Sequence, residues 1–352
     1  MRANYTLRHR SGALASITVL MAAFVPVNVL GQAQKQKQPS ATPPTSVKPG
    51  PVKKTSPPPA QVPEGDPADS KPIPRPAPKN GEDTLIAGVD CAVWKPKTPG
   101  PWPLVIFSHG FHGSARQATF LTVALADHGY LVIAPNHRDA YKFGVPNAGL
   151  RSPQASFANT RNWNSTTYKD RADDIHRLVA GLKQSDTYKK SIDWAHVAII
   201  GHSLGGYTAL GLAGAVKGWY LADFKAVIAF APYTAPLLQG KVLSNISVPV
   251  MYQGGTLDFG ISPAIRSKGG ALDQTPAPDY YVEFSRAGHF AWTDINPAFQ
   301  PEIIAYTEQF LDKYLKSEQN IDLTKQSKSV SLLRYKDKTA AAPPKAPAKA
   351  TR

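Results

Sequence analysis

The ten residues Val197-Ala198-Ile199-Ile200-Gly201-His202-Ser203-Leu204-Gly205-Gly206 constrain the chain more than any other stretch, because an apolar, β-branched run passes through Gly-x-Ser-x-Gly into a helical pattern. Such a run reads as a buried strand, and Leu204, Ala209, Leu210, Leu212 and Ala213 follow it at helical spacing. Strand, tight turn and helix in succession belong to a layered α/β architecture. Gly201 and Gly205 lack a Cβ, so the strand end and the first helical turn can pass close to the residue between them. A serine on such a turn is reachable by a base and faces backbone N–H groups, as a nucleophile requires.

Much of the 352-residue chain lies outside any such domain. Arg2, Arg8 and Arg10, an apolar stretch over 13–30, and small residues at Gly31 and Ala33 read as an export signal over 1–33, with an N-terminal membrane anchor as the alternative. Residues 34–80 are dominated by Pro, Lys, Ser and Ala and read as a disordered linker, because they cannot bury enough surface to offset their ordering entropy. The region 318–352 reads as a basic Ala/Pro/Lys-rich tail. The single cysteine, Cys91, rules out an intrachain disulfide and reads as a small buried residue on a strand.

The net charge of +15 is carried by the ends: +8 over residues 1–80, +2 over 81–317 and +5 over 318–352. A near-neutral central region speaks against a nucleic-acid face, and the basic ends suit at most weak contact with an anionic cell envelope. The region 81–317 alternates short apolar runs at 85–94, 104–108, 131–134, 197–200, 226–230, 250–253 and 280–284 with amphipathic stretches at 117–128, 170–182 and 303–315. That alternation predicts a mostly parallel sheet flanked by helices on both faces. The long interruption at 139–167 carries Tyr141, Phe143, Phe157 and Trp163 and falls on the rim of the serine turn, so it is expected to wall a substrate cleft.

Acyl transfer from a serine needs a base, an acid that orients the base, and N–H donors for the oxyanion. The strand ending in Gly254-Gly255-Thr256-Leu257-Asp258 puts Asp258 on the rim, with Asp294 and Asp279 as weaker rivals. The loop Ala287-Gly288-His289-Phe290 after the last strand does the same for His289. In Phe107-Ser108-His109-Gly110-Phe111-His112-Gly113, a strand end runs into a glycine loop. Its Phe111 N–H and that of Leu204 are the expected oxyanion donors, and His109 is expected to brace the loop. His137 also falls on the rim, where it reads first as a hydrogen-bonded loop residue and second as a candidate cleft residue with Tyr141, Phe143 and Trp163. No cofactor or metal site is expected, since no carboxylate or third histidine stands near His109 and His112 at a ligating spacing.

The segments 103–114, 201–206, 255–258 and 288–290 resemble those of α/β-hydrolase serine esterases, nearest the platelet-activating-factor acetylhydrolase and dienelactone-hydrolase-like branch, with cutinase-like polyester hydrolases further off. The resemblance spans roughly 84–316 and implies an α/β-hydrolase fold, the Ser203-His289-Asp258 triad, and a small-molecule or polymeric ester as substrate. It adds Arg171 to Asp174, similar to a charged turn at a helix start in that branch. Two departures stand out: dienelactone hydrolases proper carry cysteine where this chain has Ser203, and one cysteine excludes the C-terminal disulfide usual in secreted cutinase-like enzymes. The expected activity is carboxylic ester hydrolysis by an exported enzyme. The alternatives are an exopeptidase or amidase on the same fold, or a non-catalytic binding protein at the cell envelope.

Overall fold

The structure, a computed structural model, describes residues 81–142, 145–146, 154–318 and 320–336. The stretches read as an export signal and a linker, Phe143 and the chain beyond 336 lie outside the described residues. In chain order the strands are β1 (Glu82–Ile86), β2 (Val89–Trp94), β3 (Trp102–Ser108), β4 (Leu131–Pro135), β5 (Tyr141–Lys142), β6 (Val145–Pro146), β7 (Ile192–His202), β8 (Phe224–Phe230), β9 (Val250–Gly255), β10 (Asp279–Phe284) and β11 (Val330–Lys336). The helices are α1 (Thr119–Asp127), α2 (Lys169–Gln184), α3 (Leu204–Leu210), α4 (Ala235–Gly240), α5 (Ser262–Arg266), α6 (Ala271–Gln274) and α7 (Gln300–Tyr314).

Nine strands form one sheet in the order β1-β2-β4-β3-β7-β8-β9-β10-β11, and β5 and β6 form a separate small ribbon. The six strands from β4 to β10 in this order pair in parallel, while β1, β2 and β11 join antiparallel at the two edges. Leu104, Val105, Ile106 and Phe107 are all fully buried. Successive side chains of a strand point to opposite faces, so burial of four in a row means that both faces are covered. Helices α1 and α7 pack on each other, α2 packs against β1, β2 and β4, and α3 lies on β7 and β8. The amphipathic α2 turns Ala172, Ile175, Leu178, Val179 and Leu182 inward, together with two charged residues, Arg171 and Asp174.

Two expectations are corrected. The run 85–94 is not one strand but a hairpin: Ala87 (φ 48°) and Gly88 (φ 77°) turn the chain, and β1 pairs antiparallel with β2 from Ile86↔Val89 to Glu82↔Val93. Only the two turn residues adopt the left-handed region that a two-residue hairpin requires, so the break is brief. The region after 317 is not all tail either. β11 pairs antiparallel with β10 along its length. Its charged side chains find specific partners: Arg334 donates to the Arg266 carbonyl (2.6 Å) and ion-pairs with Asp273, and Lys336 lies 3.2 Å from Asp279. Half-polar edge strands of this kind carry a weak sequence signal.

Candidate active site

Ser203 follows β7 directly and caps the start of α3 with φ 55° and ψ −115°, a strained conformation for a residue with a Cβ. The strain is held by hydrogen bonds on both sides. The Ser203 N–H donates to the Phe230 carbonyl (2.9 Å), and its own carbonyl accepts from Tyr207 (3.1 Å) and Tyr233 (3.0 Å). A Cβ on Gly205 would fall 2.0 Å from the Ser108 carbonyl oxygen, and one on Gly201 would fall 2.3 Å from that of Gly205. Both glycines are thus required by close backbone approach.

The loops after β9 and β10 bring Asp258 and His289 to this turn. His289 Nε2 lies 3.0 Å from Ser203 Oγ, and His289 Nδ1 lies 3.0 Å from Asp258 Oδ2. The rival carboxylates are engaged elsewhere. Asp294 accepts from the Thr119 and Phe120 N–H groups at the start of α1 (2.9 and 3.0 Å), and Asp279 is the first residue of β10, at the opposite end of that strand from His289.

His202 points away from the Ser203 hydroxyl and ties the site together. Its Nε2–H donates to the His289 carbonyl (2.8 Å), so its Nδ1 accepts from Gln117 Nε2 (2.7 Å), while Gln117 Oε1 accepts from the Gly110 N–H (2.8 Å). Burial, with the neighbouring His289 adding to it, pushes the His202 pKa down to about 3, which keeps the ring neutral and in this one tautomer. The bridge links the loop before α1 to the loop that carries His289. Gln117 was not singled out from sequence, because its partners are seven and 85 residues away in the chain.

The loop between β3 and α1 lies against the nucleophile turn: a Cβ on Gly110 would stand 3.5 Å from Ser203 Cβ. The N–H of Leu204 is the first of α3 and therefore has no intrahelical acceptor. The Phe111 N–H has no acceptor among the described residues either.

Comparison with known proteins agrees with this architecture. Residues 87–251 match the family model described as Chlorophyllase. Cutinase est2 of Thermobifida alba is 25% identical over 223 residues, covering 63% of this chain and 64% of that protein. Cutinase 1 of Thermobifida cellulosilytica is 24% identical over 222 residues, covering 62% of this chain and 72% of its own length. Platelet-activating factor acetylhydrolase of Cavia porcellus is 25% identical over 184 residues, covering 44% of this chain and 40% of its own. The chain has an α/β-hydrolase fold. It spans 64% of the length of the Thermobifida alba cutinase.

The hydrolase fold places the four expected cleft residues differently from one another. Tyr141 is partly exposed and its N–H donates to the Gly113 carbonyl (2.6 Å), which puts it beside the Gly110 loop. Phe143 lies outside the described residues. His137 does not line a cleft: it is fully buried, with Nε2 3.0 Å from Ser108 Oγ and Nδ1 3.0 Å from Asp174 Oδ2. This second Ser-His-Asp chain has the residue types and spacing of the first, but Ser108 is fully buried too, so no substrate reaches it.

Trp163 is likewise turned inward. Its ring packs on Phe157, Tyr168, Tyr207 and Tyr233, and its Nε1–H donates to the Ser156 carbonyl (3.1 Å). The described part of the 139–167 loop therefore contributes a buried aromatic cluster rather than a row of cleft side chains. That cluster reaches the site through Phe157, whose ring centroid is 5.2 Å from that of Phe111. Three exposed apolar residues adjoin Asp258 and His289 in the chain: Leu257 and Phe259 on either side of Asp258, and Phe290 after His289. Among the described residues no cluster of His, Cys, Asp or Glu could hold a metal ion.

Proposed function

We propose that the chain is a serine carboxylester hydrolase. The observation that carries the reading is the position of His289, which bridges a strained serine and a nearly buried aspartate with contacts of 3.0 Å on each side. Ser203 Oγ attacks the ester carbonyl carbon as His289 Nε2 takes its proton, and the Phe111 and Leu204 N–H groups receive the oxyanion. His289 then returns the proton to the departing alkoxide, which leaves an acyl-Ser203. A water, deprotonated by the same imidazole, releases the acid and restores the serine. Asp258 holds His289 in the tautomer with Nδ1–H and stabilises the imidazolium.

The matched cutinases and acetylhydrolase support ester chemistry by their names. The exposed Leu257, Phe259 and Phe290, next to Asp258 and His289 in the chain, suit an ester with an apolar acyl or alcohol part. Ser203→Ala is expected to lower turnover of a short p-nitrophenyl ester by at least about four orders of magnitude, because triad members act as a unit. It should also abolish labelling by a fluorophosphonate probe. Retention of a tenth of the wild-type turnover would overturn the assignment. Residues 1–33 fit an export signal, and amino-terminal sequencing of the protein recovered outside the cytoplasm checks for cleavage.

A further inference from the structure

Several polar groups of the Gly110 loop are fixed from behind. The Gly110 N–H donates to Gln117 Oε1 (2.8 Å), the His112 N–H to Asp139 Oδ2 (3.1 Å), and the Gly113 carbonyl accepts from the Tyr141 N–H. The Gly110 carbonyl is the most heavily used. It accepts from Arg171 Nη2 (3.1 Å), His109 Nδ1 (2.7 Å) and the Gly113 N–H (3.0 Å). In a trans peptide the C=O and the following N–H point in opposite directions. Anchoring the Gly110 oxygen toward Arg171 therefore turns the Phe111 N–H the other way, and Gly110 itself lies against Ser203.

The anchor is a fully buried cation. Arg171 Nη1 also donates to the His109 carbonyl (2.7 Å), and Nε and Nη2 grip Asp139 in a two-pronged ion pair (3.1 and 2.7 Å). Burial alone would raise the Asp139 pKa, but the guanidinium holds it well below the usual carboxylate range, so the pair stays charged. Burial and the same guanidinium keep His109 neutral. Its Nδ1–H is thereby committed to Gly110, and its Nε2 accepts the His137 N–H (3.0 Å). The buried Ser108-His137-Asp174 chain fixes His137 in turn. A buried ion pair is weak evidence for stability alone, whereas a planar guanidinium that meets two successive carbonyls and a carboxylate specifies geometry.

We infer that Arg171 is a positioning residue for the oxyanion hole: through the Gly110 carbonyl it sets the direction of the Phe111 N–H and polarises that peptide toward the developing negative charge. This rests on the proposed serine-esterase reading. Removing one oxyanion donor outright costs about a hundred- to a thousandfold in kcat, so a donor left in place but misaimed should cost about ten- to a hundredfold.

The test uses the full chain with Arg171→Met and Arg171→Lys, and Arg177→Met as a control. Arg177 is a largely exposed arginine on the same helix that contacts Asp174 and not the loop. Active serine is first counted by fluorophosphonate titration, so that misfolded protein drops out. Kinetics are then read per active serine with a p-nitrophenyl ester, together with the inhibition constants of a trifluoromethyl ketone, which binds as a tetrahedral oxyanion, and of the product carboxylate. Arg171→Met is expected to lower kcat about ten- to a hundredfold with KM changed less than about threefold. It should weaken the ketone by the same factor as kcat, and leave carboxylate binding and the pH midpoint of kcat as in the wild type. Arg171→Lys should fall between, since an ammonium keeps the charge but not the planar fork, and Arg177→Met should match the wild type.

The inference is overturned if Arg171→Met keeps kcat within about threefold per active serine, or if its loss sits in KM or in a shifted pH midpoint. If Arg171→Met yields no active serine to titrate, Arg171→Lys decides by the same criteria, with unchanged kcat and unchanged ketone binding overturning it. Failure of the underlying reading has a different signature: wild-type protein that the fluorophosphonate does not label, or Ser203→Ala that remains active.

Discussion

In the proposed reading single residues carry the chemistry, and those legible in the sequence are the ones whose placement is set by local backbone. Gly201, Ser203 and Gly205 read as a nucleophile turn, and the contacts their missing Cβ atoms would make give the reason. Asp258 and His289 were found by their place after successive strands, and the fold brings both to Ser203. His137 is the hydrogen-bonded residue that its loop suggested and not the cleft residue that its rim allowed, because a strand-end position says which rim a residue is on but not whether its side chain faces in or out. Gln117 escaped because its role depends on two distant partners at once. The turn itself can be tested. Gly205→Ala would drive a methyl to 2.0 Å from the Ser108 carbonyl oxygen and 2.7 Å from that of His109, so backbone would have to shift. A loss of at least about 3 kcal/mol in urea unfolding is expected, or failure to obtain soluble protein. A variant with wild-type stability would show that the turn is looser than described.

Among the elements, strands buried on both faces were easy to read because their apolar runs are nearly continuous, as in β4 and β8. The edges were not. The β1–β2 turn hides in an Ala-Gly pair, the start of β7 in Asp193, Trp194 and His196, and β11 in a strand with three basic or aromatic residues at its end. Pairing, not composition, makes these residues strands. β11 covers the outer edge of β10 and buries Val330. A chain ending at Glu318 is expected to lose at least about 2 kcal/mol of stability and to associate through the uncovered edge. Urea unfolding and light scattering of the truncated and full chains measure both. Equal midpoints and equal scattering would mean that β11 adds no support to the sheet.

At the scale of the whole molecule, buried ionisable groups give stability a pH dependence whose sign can be worked out. Burial, and the Arg171 charge for the first two, lowers the pKa of His109 and His137, and burial lowers that of His202 to about 3. Below about pH 6.5 the unfolded chain takes up these protons and the folded chain does not, so they make stability fall as pH falls. Asp279 acts in the opposite sense. It is fully buried, its carboxylate has among the described residues only the 3.2 Å ion pair with Lys336, and burial raises its pKa to about 7. Between about pH 4 and 7 its folded form keeps a proton that the unfolded form has lost, so it makes stability fall as pH rises. Burial raises Glu308 as well, in the same sense as Asp279. Three histidines outweigh two carboxyls, and stability should rise from about pH 4.5 to 6.5. In Asp279→Asn that rise should be steeper. Urea midpoints measured across this range for both proteins check it, and parallel curves would remove Asp279 from the account.

The pairing of β11 has a practical side. Its final residue, Lys336, sits opposite Asp279, the first residue of β10, whereas His289 and Ser203 follow the far ends of their strands. Lys336 therefore lies at the pole of the sheet remote from the serine. Coupled to a bead, a film or a carrier protein at Lys336, the molecule would present the rim that carries Ser203 outward, toward the bulk.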